Sequence, residues 1–92
     1  MEKINIEVKL DEIFKEYNRL DEGQFNALMN QFQYMRECFE RYTTEHGRKC
    51  IAEKRAEGMG AVISFLCEAA MIKRSQADQL WKMVETIIAE NK

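Results

Sequence analysis

The chain of 92 residues contains no proline, four glycines and a single histidine. Proline stops helices and marks turns, so its absence favours long uninterrupted helices. The three cysteines, Cys38, Cys50 and Cys67, are odd in number and widely spaced, which argues against a disulfide framework. No long hydrophobic run occurs. The longest mostly apolar stretch, Met59 to Met71, is too short to span a bilayer and is interrupted by Glu68. The opening MEKINIEVKL lacks the apolar segment of a secretory signal, so a cytoplasmic protein without a membrane partner is expected. Charge of one sign is also missing. The net charge of −2 gives no global pull toward nucleic acid or an anionic membrane.

What is present is a folding composition: 46% hydrophobic and 33% charged residues, enough for one domain over residues 1–92. Helix formers dominate, and the expected fold is an all-α bundle of three or four helices. Residues 3–10 alternate apolar and polar, Ile4, Ile6, Val8 and Leu10 against Lys3, Asn5, Glu7 and Lys9. This period of two predicts a short extended arm over residues 1–9. From Leu10 the period becomes helical, through Ile13, Phe14, Tyr17 and Leu20, which predicts a helix over 10–20.

Asp21 and Gln24 have the spacing of a capping box and open a second helix, expected over 22–46. Its stripe is Phe25, Leu28, Phe32, Met35, Phe39 and Tyr42, an aromatic-rich heptad seam. The register fails at His46, Lys49 and Glu53, and Gly47 is the expected break. A new stripe of Ala52, Ala56, Met59, Ile63, Leu66 and Ala70 predicts a helix over 49–72, with Gly58 and Gly60 either kinking it or admitting another backbone. Ser75 and Asp78 resemble an N-cap and its acid. They predict a last helix over 76–90 with Ala77, Leu80, Trp81, Val84, Ile87 and Ile88 inward. Residues 50–90 then form an antiparallel helical hairpin.

No catalytic, cofactor-binding or metal-binding constellation is expected. His46 and Cys50 stand at i, i+4, but a closed zinc site needs four ligands, and one histidine without a C-x-x-C favours a surface histidine beside a half-buried cysteine. The same pair lacks the orienting residue and oxyanion loop of a thiol nucleophile. Lys73-Arg74-Ser75-Gln76 has a superficial helix-turn-helix look, but Arg74 and Gln79 fall where two packed helices need apolar residues. Two surfaces remain. The seam Phe25, Leu28, Phe32, Met35, Phe39 and Tyr42 is the expected self-association face of a homodimer. The basic residues Arg41, Arg48, Lys49, Lys54 and Arg55, interleaved with glutamates, are the expected partner-binding segment.

The length, the lack of proline, and the hairpin from Gly60-Ala61-Val62-Ile63-Ser64-Phe65-Leu66 to Ser75-Gln76-Ala77-Asp78-Gln79-Leu80 make the chain similar to small acidic helical proteins of phages and mobile elements. That resemblance implies a protein acting stoichiometrically, as inhibitor or adaptor, on a host protein. The leading expectation is accordingly a non-enzymatic protein-binding module. The alternatives are a nucleic-acid-associated regulator using the basic segment, and a redox or metal site at His46 and Cys50.

Overall fold

A computed structural model of the chain describes residues 3–91. It has four helices, α1 (Ile6–Ile13), α2 (Glu22–Arg41), α3 (Glu45–Glu68) and α4 (Arg74–Glu90), and no strand among the described residues. The fold is all-α, with α3 and α4 packed as the C-terminal antiparallel hairpin and α1 lying against α2 and α4.

The first element differs from the expected arm. The non-helical lead-in covers only 3–5 of the described residues, and residues 1–2 of that arm lie outside them. Asn5 caps α1, its side chain accepting from Val8 N at 3.1 Å. Ile6, Leu10 and Ile13 are buried at i, i+4, i+7, and Val8 is exposed. A helix and a strand both put Ile6 and Leu10 on one side, so the alternation that suggested a strand is equally the start of a helical stripe. The helix then stops at Ile13 rather than continuing to residue 20. Phe14 and Leu20 still reach the core, but from a turn and an irregular segment.

The capping box at the head of α2 forms as expected. Asp21 Oδ1 accepts from Gln24 N at 2.8 Å, and Gln24 Oε1 accepts from Asp21 N at 3.0 Å. The break after α2 falls at Tyr42–Thr44, earlier than the expected one at Gly47. Thr44 caps α3 by accepting from Gly47 N at 3.0 Å, so Gly47 lies inside the helix. A Cβ on Gly47 would sit 2.9 Å from Thr44 Oγ1 and 3.1 Å from Tyr42 Cδ1. Glycine there admits the cap and the tyrosine ring together. Gly58 and Gly60 do not interrupt α3. Gly60 lets the Trp81 ring of α4 approach, with a Cβ there 3.5 Å from it, and Gly58 faces open space.

α3 ends at Glu68 in a Schellman turn built on Ala70, whose φ is +58°. Ala70 N donates to Cys67 O at 3.1 Å, and Met71 N donates to Leu66 O at 2.9 Å. α4 begins at Arg74 rather than at residue 76. Lys73 occupies the N-cap position, Ser75 falls in the first turn, and Gln76 Oε1 accepts from Lys73 N at 2.9 Å. On α4 the buried apolar side chains are Leu80, Met83, Val84 and Ile87. Trp81, expected inward, is instead exposed at the edge of the hairpin, and Met83 takes the interior place.

Two polar ties join segments far apart in sequence. Gln76 is 4% exposed and uses its whole amide. Besides capping α4, its Nε2 donates to Ile13 O at 2.9 Å and to Tyr17 O at 2.7 Å, which satisfies carbonyls where α1 ends. At the other end of the bundle the Glu90 carboxylate, its side chain 1% exposed, pairs with Arg36 at 3.0 Å. Glu90 Oε1 also accepts from Ile4 N at 2.8 Å, and Arg36 Nη2 donates to Ile4 O at 2.8 Å. The pair thus clasps the backbone of the lead-in. Nearby, on the surface, Lys3 bridges to Glu40 at 2.9 Å, and its ammonium group holds the Glu40 carboxyl below its ordinary value.

Candidate functional site

The hairpin helices are unequal, and the inequality shapes the surface. α3 has 24 residues and α4 has 17. They are joined at one end, so at a rise of about 1.5 Å per residue α3 overhangs the free end of α4 by roughly 10 Å. Beyond Ala52 the core-facing line of α3 turns charged, through Glu45, Arg48 and Lys49, and only Asn91 at the end of α4 reaches it, through Arg48. The result is an open groove of about 750 Å³ between the start of α3 and the ends of α2 and α4. Its floor is apolar, from the half-buried Ala52 and Ile88 over the buried Phe39, and its rim carries Glu45, Arg48, Lys49 and Glu53.

The overhang gathers some of the expected basic residues and separates others. Arg48 and Lys49 border the groove. Arg48 is partly held, its Nε donating to Tyr42 O at 2.8 Å and its Nη1 to Asn91 O at 3.4 Å. Lys54 borders a neighbouring depression, with Tyr42, His46, Cys50 and Glu57. Arg55 is half-buried, its guanidinium 5.4 Å from the centre of the Tyr34 ring. Arg41 is exposed in the last turn of α2. The five bases therefore do not form one continuous face. None of them enters an ion pair among the described residues, although glutamates stand between them in sequence.

Most of the expected self-association face lies inside the chain. Leu28, Phe32, Met35 and Phe39 are buried in the core of the chain itself, against residues of the other helices. Phe25 is half-buried and meets Phe14 edge-on with ring centres 6.0 Å apart, and Tyr42 alone of the six is exposed. A heptad seam is the pattern of any helix buried along one stripe, and here α1, α3 and α4 supply the cover that a second copy was expected to give.

Cys50 is exposed rather than half-buried, while Cys38 is buried and Cys67 intermediate. Cys50 Sγ lies 3.6 Å from His46 Nε2, so the helix does bring the pair together. Among the described residues no group of three or more histidine, cysteine, aspartate or glutamate side chains converges to hold a metal ion. Arg74 and Gln79, where a helix-turn-helix would be apolar, are both exposed. No helix among the described residues is long and apolar enough to cross a membrane.

Sequence reading did not find the groove. Its signal was present as the small apolar Ala52 in line with the charged Arg48 and Lys49, but only the length mismatch of the hairpin shows that this line is uncovered. Compared with protein-family models, with curated proteins and with solved structures, the chain matches none.

Proposed function

We propose that the chain is a non-enzymatic protein-binding module, and that the groove at the overhang of α3 receives an acidic amphipathic helix of another protein. The observation that carries this reading is an apolar floor of Ala52 and Ile88 over the buried Phe39, beside Arg48 and Lys49, which enter no ion pair among the described residues. An uncovered helical face is complemented best by a further helix, which can bury the floor and present acids to Arg48 and Lys49. The apolar floor gives no advantage to a phosphate backbone. The dispersal of Arg41, Lys54 and Arg55 onto other surfaces likewise supports a protein over a nucleic acid. The resemblance to small acidic phage proteins points the same way, toward stoichiometric inhibition or adaptation of a host protein.

The test is affinity capture from nuclease-treated bacterial lysate with three forms of the full chain. These are wild type, a groove-blocked Ala52→Arg/Ile88→Glu form, and a control altered on a distant exposed face at Ser64→Arg. A protein retained by wild type and control but lost by the blocked form supports the proposal, more so if Lys49→Glu weakens it as well. Identical capture by all three folded forms, or capture abolished by nuclease, refutes it.

A further inference from the structure

We propose that the N-terminal lead-in is a strap that regulates the groove. While Ile4 is held by Arg36 and Glu90, the last turn of α4 walls the groove, and when the lead-in leaves, that wall loosens. As regulation this rests on the groove being the surface that binds a partner, but the coupling itself belongs to the free chain.

The last turn of α4 is shared between the two surfaces. Ile88 and Glu90 are two residues apart, so on a helix of about 3.6 residues per turn they point roughly 160° apart, on either flank of the buried Ile87. Ile88 lines the groove, as does Asn91 just beyond it. Glu90 takes the lead-in instead, its Oε1 accepting from Ile4 N at 2.8 Å. Arg36 Nη2 completes the clasp, donating to Ile4 O at 2.8 Å and to Glu90 Oε2 at 3.0 Å. The end of α2 divides in the same way. Arg36 and Glu40, one turn apart, meet Ile4 and Lys3, while Phe39 lies beneath the groove floor. The two helix ends that build the groove are thus the two that hold the lead-in.

The strap is lightly held. Apart from the clasp, its one ion pair is Lys3 with Glu40 on the surface, where such pairs contribute little. Arg36 Nε is buried and meets no acceptor among the described residues, a cost that the closed clasp retains and that water removes on opening. From the groove side the same turn is tied by Arg48 Nη1 to Asn91 O, a long contact of 3.4 Å. The Asn91 side chain bonds Ile87 O at 2.8 Å and moves with the turn it caps. Release of Ile4 therefore leaves the end of α4 to fray, and with it the wall at Ile88 and Asn91. The linkage is reciprocal, so an occupant that settles against Ile88 tightens the lead-in.

The test reads amide hydrogen exchange and the Ile88 methyl signal of the free full chain by NMR. Ile4→Pro removes the donor to Glu90 and leaves Arg36 and Glu90 in place. It should speed exchange at the Ile88, Ala89, Glu90 and Asn91 amides by about tenfold and shift the Ile88 methyl, with exchange in the middle of α2 and α3 unchanged. Arg36→Lys keeps a charge beside Glu90 but cannot fork between it and Ile4 O; it should act in the same direction, and it carries the test if Ile4→Pro does not fold. Reciprocity requires that Arg48→Gln speed exchange at the Ile4 amide. Gln76→Leu, which weakens the chain from the joined end of the hairpin, is the control and should not single out the last turn of α4. Unchanged exchange over residues 88–91 in the strap variants, or an equal rise there in Gln76→Leu, would overturn the proposal. A coupled groove that captures no protein from lysate refutes the proposed function and leaves the strap standing; capture by a groove indifferent to Ile4→Pro does the reverse.

Discussion

Replacing Gln76 by leucine keeps roughly the volume of the side chain and removes its three hydrogen bonds. The partners differ in how well water can replace the amide. The bond to Ile13 O is buried, while those to Tyr17 O and from Lys73 N are partly buried. A buried polar group left without a partner costs about 1–3 kcal/mol, and the two half-accessible groups about 0.5–1 kcal/mol each. The leucine returns about 1 kcal/mol through its greater apolar area. The net loss is then about 1–4 kcal/mol, from a total of about 5–14 kcal/mol for a domain of this length. That corresponds to a fall of about 5–30 °C in Tm, read by circular dichroism. Gln76→Glu isolates the donor. A carboxylate only accepts, and it would face the two carbonyls that the amide now serves. Burial beside those carbonyls raises the pKa of the introduced group in the folded state. Its contribution is therefore favourable at pH below the ordinary glutamate value of about 4.3 and is lost as pH rises through the raised folded value. The Gln76→Glu chain should lie closer to wild type at about pH 5 than at about pH 8. A Gln76→Leu chain within about 0.5 kcal/mol of wild type would refute the reasoning, since it would mean that water serves all three groups.

Ala70→Gly should stabilise the chain by about 0.5–1 kcal/mol, because the left-handed φ of +58° costs alanine roughly 1–2 kcal/mol and glycine loses part of that gain to backbone entropy; a urea titration reads it. Gly58→Ala should also stabilise, by about 0.5–1 kcal/mol, since an added Cβ at that mid-helical position meets nothing within 4 Å. Glu90→Ala should cost about 2–3 kcal/mol, below the usual value for a fully buried pair because Arg36 remains partly accessible, and should speed hydrogen exchange at the Ile4 amide. The Glu40 carboxyl should titrate below 4.5 by NMR and move back up in Lys3→Ala; the pair favours the fold above the unfolded value and loses that effect as pH falls through the folded one.

The all-α fold and the hairpin were legible because long apolar stripes repeat at helical spacing, and because the Asp21–Gln24 capping box is a local signal that depends on neither core nor partner. The expected extended arm fails for a definable reason. Between Ile6 and Leu10 the strand and helix periods coincide, and only Val8, exposed in a helix and inward in a strand, separates them. Asn5 ahead of Glu7 was the capping signal that could have decided it. The end of α1 at Ile13 was harder to see. It depends on Gln76, 63 residues away, whose amide accepts the role of a helix terminus that nothing local supplies.

The candidate surfaces separate along the same line between local and remote information. The His46–Cys50 pair was visible from spacing, because i, i+4 on a helix fixes a separation whatever the rest of the fold does. The aromatic seam was equally visible, but its role was not. An apolar stripe states that a face is covered and leaves open by what, and in this chain α1, α3 and α4 cover it. The groove inverts the case. Arg48 and Lys49 look like ordinary surface residues in sequence, and they become a rim only because α4 ends while α3 continues. Seventeen residues against 24 is a difference any reader of the sequence could have counted, had the ends of both helices been known. The free end of α3 rests on Thr44, which caps it through Gly47, while Gln76 caps α4 at the joined end, away from the groove. The surface proposed to bind a partner is thus set in part by a capping residue that does not line it. Changes at Thr44 should alter partner capture through the start of α3, without that residue touching the partner.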